Sequence, residues 1–151
     1  MTTLIDGSAQ AIAAAVKDGV TSAVELTKAA LARIEARNRA YGAFTDVVRE
    51  RALVKAAEVD RARAGGQTMG PLAGAPFAVK NLFDVKGLKT RAGSKINRDL
   101  PPAEADATLV ARLERAGACS SARSTWANTP MTSPVRTRTV GRRAIPATSS
   151  I

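Results

Sequence analysis

The chain contains no histidine and only one cysteine among its 151 residues. Without histidine it cannot form Ser-His-Asp or Cys-His nucleophile systems or imidazole-based zinc sites. Cys119 has no second cysteine with which to form an internal disulfide. No apolar run approaches the ~18 residues of a membrane span, and residues 1–8 lack a charged start followed by an apolar stretch. These absences favour a cytoplasmic protein without a membrane segment.

Aromatic residues are also scarce, at 3% of the sequence. The core must therefore come from alanine, leucine, valine and isoleucine, which suits closely packed helices better than a sandwich of sheets. A chain of this length has room for one domain.

The formal net charge of +10 suggests nucleic-acid binding, because clustered lysine and arginine neutralise phosphates. Opposite charges alternate along residues 1–118, however, which is typical of a solvated surface. Residues 119–151 hold five arginines and no acidic residue. A non-enzymatic basic helical module that binds nucleic acid or a protein partner is therefore an alternative interpretation. The scarcity of aromatic stacking platforms disfavours nucleic acid as its ligand.

The first part of the chain predicts two helices with recognisable ends. One runs from Ser8 as cap to Gly19 as stop. Thr21 or Ser22 can cap the next helix, with Glu25 completing a capping box. The apolar spacing continues that helix to about Arg37.

Two further helices follow at a distance. Residues 43–64 predict a third helix, with Thr45 or Asp46 as its cap and paired glycines after it. Asp106 can cap a last helix that Gly117 ends.

A loop rich in proline and glycine, residues 69–76, separates these helical parts. Residues 77–79 then predict a short strand leading into Lys80, and Phe83 and Val85 suggest more extended chain. A lysine at such a place is either an exposed charge at a strand end or an amine desolvated enough to act as a base. The position alone leaves both interpretations open.

Three segments together resemble the amidase-signature family in sequence, spacing and order. They are Gly70 to Val85 (GPLAGAPFAVKNLFDV), Thr90 to Lys95 (TRAGSK) and Asp106 to Ala118 (DATLVARLERAGA). Within the family the chain looks most like the carboxybiuret and allophanate-type amidohydrolases and the A subunit of the transamidosome, the glutamyl-tRNA amidotransferase. The resemblance covers residues 1–118. It implies an α/β protein, the N-terminal part of the α/β/α amidase fold, rich in helix here with a few short strands.

The resemblance also implies a Ser-cisSer-Lys mechanism in which Lys80 matches the catalytic lysine. Many family members have aspartate after this lysine, whereas this chain has Asn81, which can still help to shape the site. Residues 90–95 either line the same region or form a solvated loop. The two catalytic serines belong to later glycine-rich segments, and Ser149-Ser150 lacks the flanking glycines of an oxyanion site. The chain is therefore expected to end before both serines and to be inactive alone.

By this resemblance, the full-length protein hydrolyses C–N bonds of a small amide or urea-like substrate. The family needs no metal or organic cofactor. Its members commonly form homodimers or bind a small helical partner subunit, and neither a membrane nor nucleic acid is an expected partner.

The composition changes abruptly after Ala118. Residues 119–151 contain twelve serine or threonine residues and three prolines, with no leucine. This composition predicts a disordered basic tail.

The genetic code gives this tail a second interpretation. Read one nucleotide earlier, each codon takes its last two bases from the first two bases of a visible codon. Trp126-Ala127 then forces glycine, and Met131-Thr132 forces aspartate. With GC-rich codons elsewhere, the preceding frame across residues 119–133 can encode Val-Leu-Val-Gly-Ala-Leu-Asn-Met-Gly-Glu-Tyr-Ala-Tyr-Asp-Phe. Across residues 134–146 it can encode Thr-Gly-Glu-Asn-Ala-His-Gly-Gly-Pro-Ser-Arg-Asn-Pro. Both resemble the family. We therefore predict a one-base frameshift near Ala118, followed by a premature stop.

Overall fold

The computed structural model describes residues 4–124, which form an α/β arrangement of helices around a small sheet. The strands are β1 (Phe44–Val47), β2 (Pro76–Lys80) and β3 (Cys119–Ser124). The helices are α1 (Ala9–Lys17), α2 (Ala23–Tyr41), α3 (Arg49–Ala64) and α4 (Thr108–Arg115), with a 3-10 turn at Ile96–Asp99. The strand order is β1-β3-β2, so the last strand in sequence lies in the middle. It runs antiparallel to β1 and parallel to β2.

The predicted starts of α1 and α2 are confirmed. Ser8 Oγ accepts a hydrogen bond from the Ala11 amide at 3.1 Å. At α2 the Glu25 amide donates to Ser22 Oγ at 3.0 Å, and the Ser22 amide donates to Glu25 Oε2 at 3.1 Å. The two bonds satisfy amides that have no partner inside the helix.

Helix α2 extends four residues beyond its predicted end at Arg37. Asn38, the first residue beyond that predicted end, is helical and its side chain bonds forward to the next strand. Its Nδ2 donates to the Phe44 carbonyl at 3.0 Å, and its Oδ1 accepts from the Phe44 amide at 2.8 Å. Gly42, in the left-handed conformation with φ +56°, then ends the helix.

The predicted start of the third helix at residue 43 is wrong. Residues 44–47 form β1 instead, and α3 begins only at Arg49. The cause is pairing with β3, in which Phe44 lies opposite Ser124 and Val47 opposite Ala122. A partner about 80 residues away leaves no trace in the local pattern. The predicted end of this helix before Gly65 is confirmed.

Two smaller predictions, the cap of α4 and the extended chain after Lys80, are also wrong. Asp106 does not cap the helix: Ala107 occupies the cap position and no side chain accepts from the first turn. Longer-range donors hold the carboxylate instead, since Arg51 Nη2 lies 2.7 Å and the Lys86 amide 2.8 Å from its oxygens. The chain after Lys80 turns rather than extending, because the Phe83 amide donates to the Lys80 carbonyl at 3.0 Å.

Residues 119–124 differ from the expectation of a disordered tail, because they form the central strand. The strand pairs with β2 along its length and with β1 over residues 122–124, and the side chains of residues 119–123 are buried. Small side chains at most of these positions allow close packing between neighbouring strands and α3. The other residues of the predicted tail, 125–151, lie outside the described part of the chain.

Two apolar clusters hold the sheet between helices. The larger cluster joins α1, α2 and α3 to the start of β3, and its members include Ile12, Val16, Leu26, Val59 and Cys119. The smaller cluster packs Val79 of β2 against Val85 and Val110. Alanine and small aliphatic side chains supply most of both clusters, as the scarcity of aromatic residues predicts.

Candidate functional site

Lys80 is the last residue of β2 and lies beside Ser124, the last residue of β3. Because β2 and β3 are parallel, both strands present their carboxyl ends at one edge of the sheet, where α/β proteins commonly bind ligands. The Asn81 amide donates to the Ser124 carbonyl at 2.9 Å and continues the pairing by one step. Asn81 is buried, with 5% of its surface exposed, whereas Lys80 is half-buried. The sheet therefore places an amine at a partly accessible edge.

The proline- and glycine-rich loop before β2 fixes the register of β2 against β3 and therefore the position of Lys80 along the sheet. Its residue Gly74, with φ +75°, donates its amide to the Gly117 carbonyl at 2.9 Å. One residue later the Ala75 carbonyl accepts from the Cys119 amide at 2.8 Å. A side chain at Gly74 would lie 2.9 Å from the Val16 side chain, so glycine is needed for close packing as well as for the turn.

The segment after Lys80 folds back against the same edge. The Ala92 amide donates to the Asn81 carbonyl at 3.2 Å, and Thr90 Oγ1 donates to Asp84 Oδ1 at 2.5 Å. These bonds bring residues 90–95 next to Asn81. The sequence left open whether residues 90–95 line the region of Lys80 or form a solvated loop. The backbone contact brings Ala92 to Asn81, while most of residues 90–95 are exposed to solvent.

Arg51 of α3 binds acidic residues just before and within α4, a role that the sequence analysis did not predict. Its Nε and Nη2 donate to the two oxygens of Glu114 at 2.9 Å, and Nη2 also donates to Asp106. Burial opposes ionisation of Asp106, but the hydrogen bonds from Arg51 and the Lys86 amide lower the pKa of that carboxyl. The guanidinium thus ties α3 to both ends of α4. A basic residue on an amphipathic helix gives no local signal of such a role.

Arg123 on the central strand is buried, with 1% of its surface exposed. Its Nη2 donates to Asp46 Oδ2 at 2.8 Å and to the Lys89 carbonyl at 2.9 Å. Burial works against ionisation of Asp46, but hydrogen bonds from Thr45 and Arg123 lower the pKa of this carboxyl below its usual value. Arg123 therefore links β1 to the segment that follows Lys80.

Neither a metal cluster nor a membrane-spanning helix occurs within residues 4–124: no group of three potential ligands converges, and no helix is both long and apolar enough. A groove of about 310 Å³ lies between α1, α2 and β2. Phe77 and Ala78 line it, but Lys80 does not. Lys80 is thus placed at the sheet edge, away from this apolar groove.

The sequence profile of the Amidase family matches residues 25–148 of the chain. This chain belongs to the amidase family. The match covers both Lys80 and the central strand, and it continues through most of the arginine-rich segment.

Curated relatives and a solved structure agree with this assignment. The amidase chain is 53% identical over 103 residues to AtzE, the 1-carboxybiuret hydrolase component of Pseudomonas sp. (strain ADP), covering 68% of this chain and 22% of the relative. It is 48% identical over 117 residues to the A subunit of glutamyl-tRNA(Gln) amidotransferase from Salinispora tropica, covering 78% of this chain and 24% of the relative. One solved structure is an inhibitor-bound vestigial protein complex that reveals the evolutionary origins of an s-triazine catabolic enzyme. It aligns with a TM-score of 0.74 at 49% identity, covering 76% of this chain and 25% of the other. The chain spans about a quarter of the length of these proteins.

Proposed function

We propose that this chain carries the proton-transfer lysine of an amidase that hydrolyses a C–N bond in a small amide or urea-like substrate. The observation that carries the proposal is Lys80 at the carboxyl edge of two parallel strands in a chain of the amidase family. The relatives at 53% and 48% identity are named a hydrolase and an amidotransferase, both of which act on C–N bonds.

In the proposed reaction the neutral amine of Lys80 accepts a proton from a bridging serine, which in turn accepts one from the nucleophilic serine. The nucleophile attacks the amide carbonyl, and the protonated relay returns a proton to the departing nitrogen. Water then hydrolyses the acyl-serine by the same relay. By the family resemblance both serines lie in later glycine-rich segments, so we expect residues 1–151 alone to be inactive.

The proposal also covers cofactors, partners and the cellular compartment. The relay requires neither a metal nor an organic cofactor. Two relatives are described as subunits and a third as part of a complex, which supports a partner chain for the full-length enzyme. By the family resemblance that partner is a second copy or a small helical subunit. A single cysteine without a disulfide partner favours action in the cytoplasm.

A chimera tests the role of Lys80. Residues 1–118 of this chain would replace the matching segment of the 53% identical hydrolase, and hydrolysis of carboxybiuret would be measured. We expect the chimera to be active and Lys80→Met to lower kcat by roughly 10²- to 10⁴-fold or more, because a positioned acid–base group contributes about that much.

Lys86→Met in the same chimera is the matched control, because Lys86 is exposed and six residues away. It should retain the activity of the parent chimera. A soluble, folded Lys80→Met chimera that keeps full activity would refute the proposal.

A further inference from the structure

The side chains of β3 do not suit its place in the sheet. A strand paired on both sides and covered by helices usually reads as a continuous apolar run. Residues 119–123 are all buried, yet this stretch holds two serines and an arginine.

Two side-chain atoms of β3 lack partners within the described part of the chain, although the rest of the Arg123 guanidinium bonds to Asp46 and to the Lys89 carbonyl. Three buried side-chain polar atoms have no hydrogen-bond partner among residues 4–124, and two of them, Ser120 Oγ and Arg123 Nη1, belong to β3. The third, Thr27 Oγ1, lies beside the Cys119 thiol. Ser121 Oγ reaches only the Cys119 carbonyl of its own strand, at 3.4 Å. Buried polar groups without partners are rare in native cores because each loses its hydration without compensation.

Codons compatible with residues 118–124, if read one nucleotide earlier, can remove this conflict. They can encode Val-Leu-Val-Gly-Ala-Leu at positions 119–124, a run with no side-chain hydrogen-bonding atom. The unpartnered hydroxyl of Ser120 becomes leucine, and the buried guanidinium of Arg123 becomes alanine. Side chains grow at 120 and 121 and shrink at 122 and 123, so the change exchanges volume along the strand instead of only adding to it.

We propose that the strand position observed here was built for the apolar residues of the preceding frame, and that the residues from 119 onward come from a one-base shift near codon 118. The burial of residues 119–123 and the unpartnered atoms on β3 carry this inference. It does not depend on the proposed function, because it concerns only the packing of the strand.

The nucleotide sequence is the direct test. Codons 115–151 would be read on both strands of the gene and in its transcript, and the preceding frame translated. We expect Val-Leu-Val-Gly-Ala-Leu at codons 119–124. Polar or charged residues, or a stop codon, within those six codons would overturn the inference.

A second test measures the fit of the strand in the protein itself. Urea unfolding, monitored by far-ultraviolet circular dichroism, would compare the 151-residue chain with one variant that carries six substitutions. These are Cys119→Val, Ser120→Leu, Ser121→Val, Ala122→Gly, Arg123→Ala and Ser124→Leu. We expect a higher urea midpoint for the variant than for the parent chain. An equal or lower midpoint would contradict the inference.

A matched control separates packing from added hydrophobicity. Gln10→Leu combined with Arg98→Ala makes two of the same kinds of change, the gain of a leucine and the replacement of an arginine by alanine, at exposed positions. This control should leave the urea midpoint unchanged. A rise as large as that of the six-residue variant would overturn the assignment of the effect to β3.

Discussion

Cys119 is buried at the junction of the sheet with α2 and α3, and its thiol is held in the neutral form. Burial raises the pKa of the Cys119 thiol to about 11, while the nearby Thr27 hydroxyl partly opposes the shift. An unfolded cysteine ionises near pH 8.5. The thiol therefore stabilises the folded state fully below that pH, and the stabilisation is lost as the pH rises towards the folded pKa.

This difference predicts alkaline destabilisation. Between about pH 8.5 and pH 11 the free energy of unfolding should fall as pH rises, with a limiting slope of about 1.4 kcal/mol per pH unit from this group. Urea unfolding at several pH values would compare the parent chain with Cys119→Val, in which the other alkaline groups are unchanged. The parent should lose stability more steeply than the variant. Parallel pH profiles of the two chains would show that the thiol is not buried.

Arg51 shows how one side chain joins elements that are distant in sequence. It contacts acidic residues at both ends of the α4 region, and Glu114 is the stronger influence in raising the pKa of the guanidinium. About a quarter of the Arg51 side chain is exposed, so solvent screens part of the attraction.

We expect Arg51→Met to lower the free energy of unfolding by about 1–3 kcal/mol, because it leaves two partly buried carboxylates with fewer partners. Arg49→Met is the matched control on the same helix, since Arg49 pairs with Glu35 in an exposed ion pair. The control should change stability by less than about 0.5 kcal/mol. Equal effects of the two substitutions, measured by urea unfolding, would contradict this role of Arg51.

At the scale of elements, the loop before β2 and the turn after α4 approach each other closely. A Cβ atom at Gly70 would lie 2.2 Å from the Ala116 carbonyl oxygen, and one at Gly117 would lie 2.9 Å from Ala73 Cα. Gly117 also has φ +94°. The turn therefore depends on glycine both for its backbone conformation and for the space that the loop occupies.

Gly117→Ala should destabilise the chain by roughly 2–3 kcal/mol, from backbone strain together with the contact with Ala73. Gly66→Ala is a control for strain alone, because Gly66 has φ +65° but no atom lies within 4 Å of the position that a Cβ atom would take there. The control should cost about 1 kcal/mol. Thermal unfolding of both variants measures the difference, and similar losses would refute close packing at Gly117.

The elements that the sequence predicted are those with local determinants. Ser8 and Ser22 cap their helices through bonds within a few residues. Strand β2 also depends on the distant β3, but its apolar run at residues 77–79 after a loop rich in proline and glycine gave a local signal. The strand at 44–47 gave no such signal and exists through pairing with β3. Asp106 failed as a predicted cap for a related reason: Arg51, 55 residues earlier, offers the carboxylate a better partner.

The candidate site shows the same division. Lys80 was found from a string of residues around it, and the structure places it at a strand end as that string predicts. The contact of residues 90–95 with Asn81, and the reach of Arg123 to the Lys89 carbonyl, depend on how separate segments meet. Hydrophobic periodicity carries no information about contacts between segments that are distant in sequence.

At the scale of the whole molecule, β3 is the element that joins the others. It pairs with β1 and β2, which do not pair with each other, and it contacts α3 and α4 as well. Removing it would leave two short strands without their central partner and would open the larger apolar cluster.

Chains ending at residue 118 and at residue 124 test this arrangement. The 124-residue chain should unfold cooperatively in urea, whereas the 118-residue chain should show a gradual change without a transition, because isolated short strands are not stable. Far-ultraviolet circular dichroism distinguishes the two. A 118-residue chain that unfolds at the same urea concentration would show that β3 is dispensable.

The central position of the last strand also affects biosynthesis. While the nascent chain emerges, β1 and β2 are made first and must wait for residues 119–124 before either can form its ladder. During that interval their unpaired backbone groups are open to pairing with other chains. Ribosome pausing or an early stop before codon 119 should therefore convert this polypeptide into a substrate for chaperones and proteases.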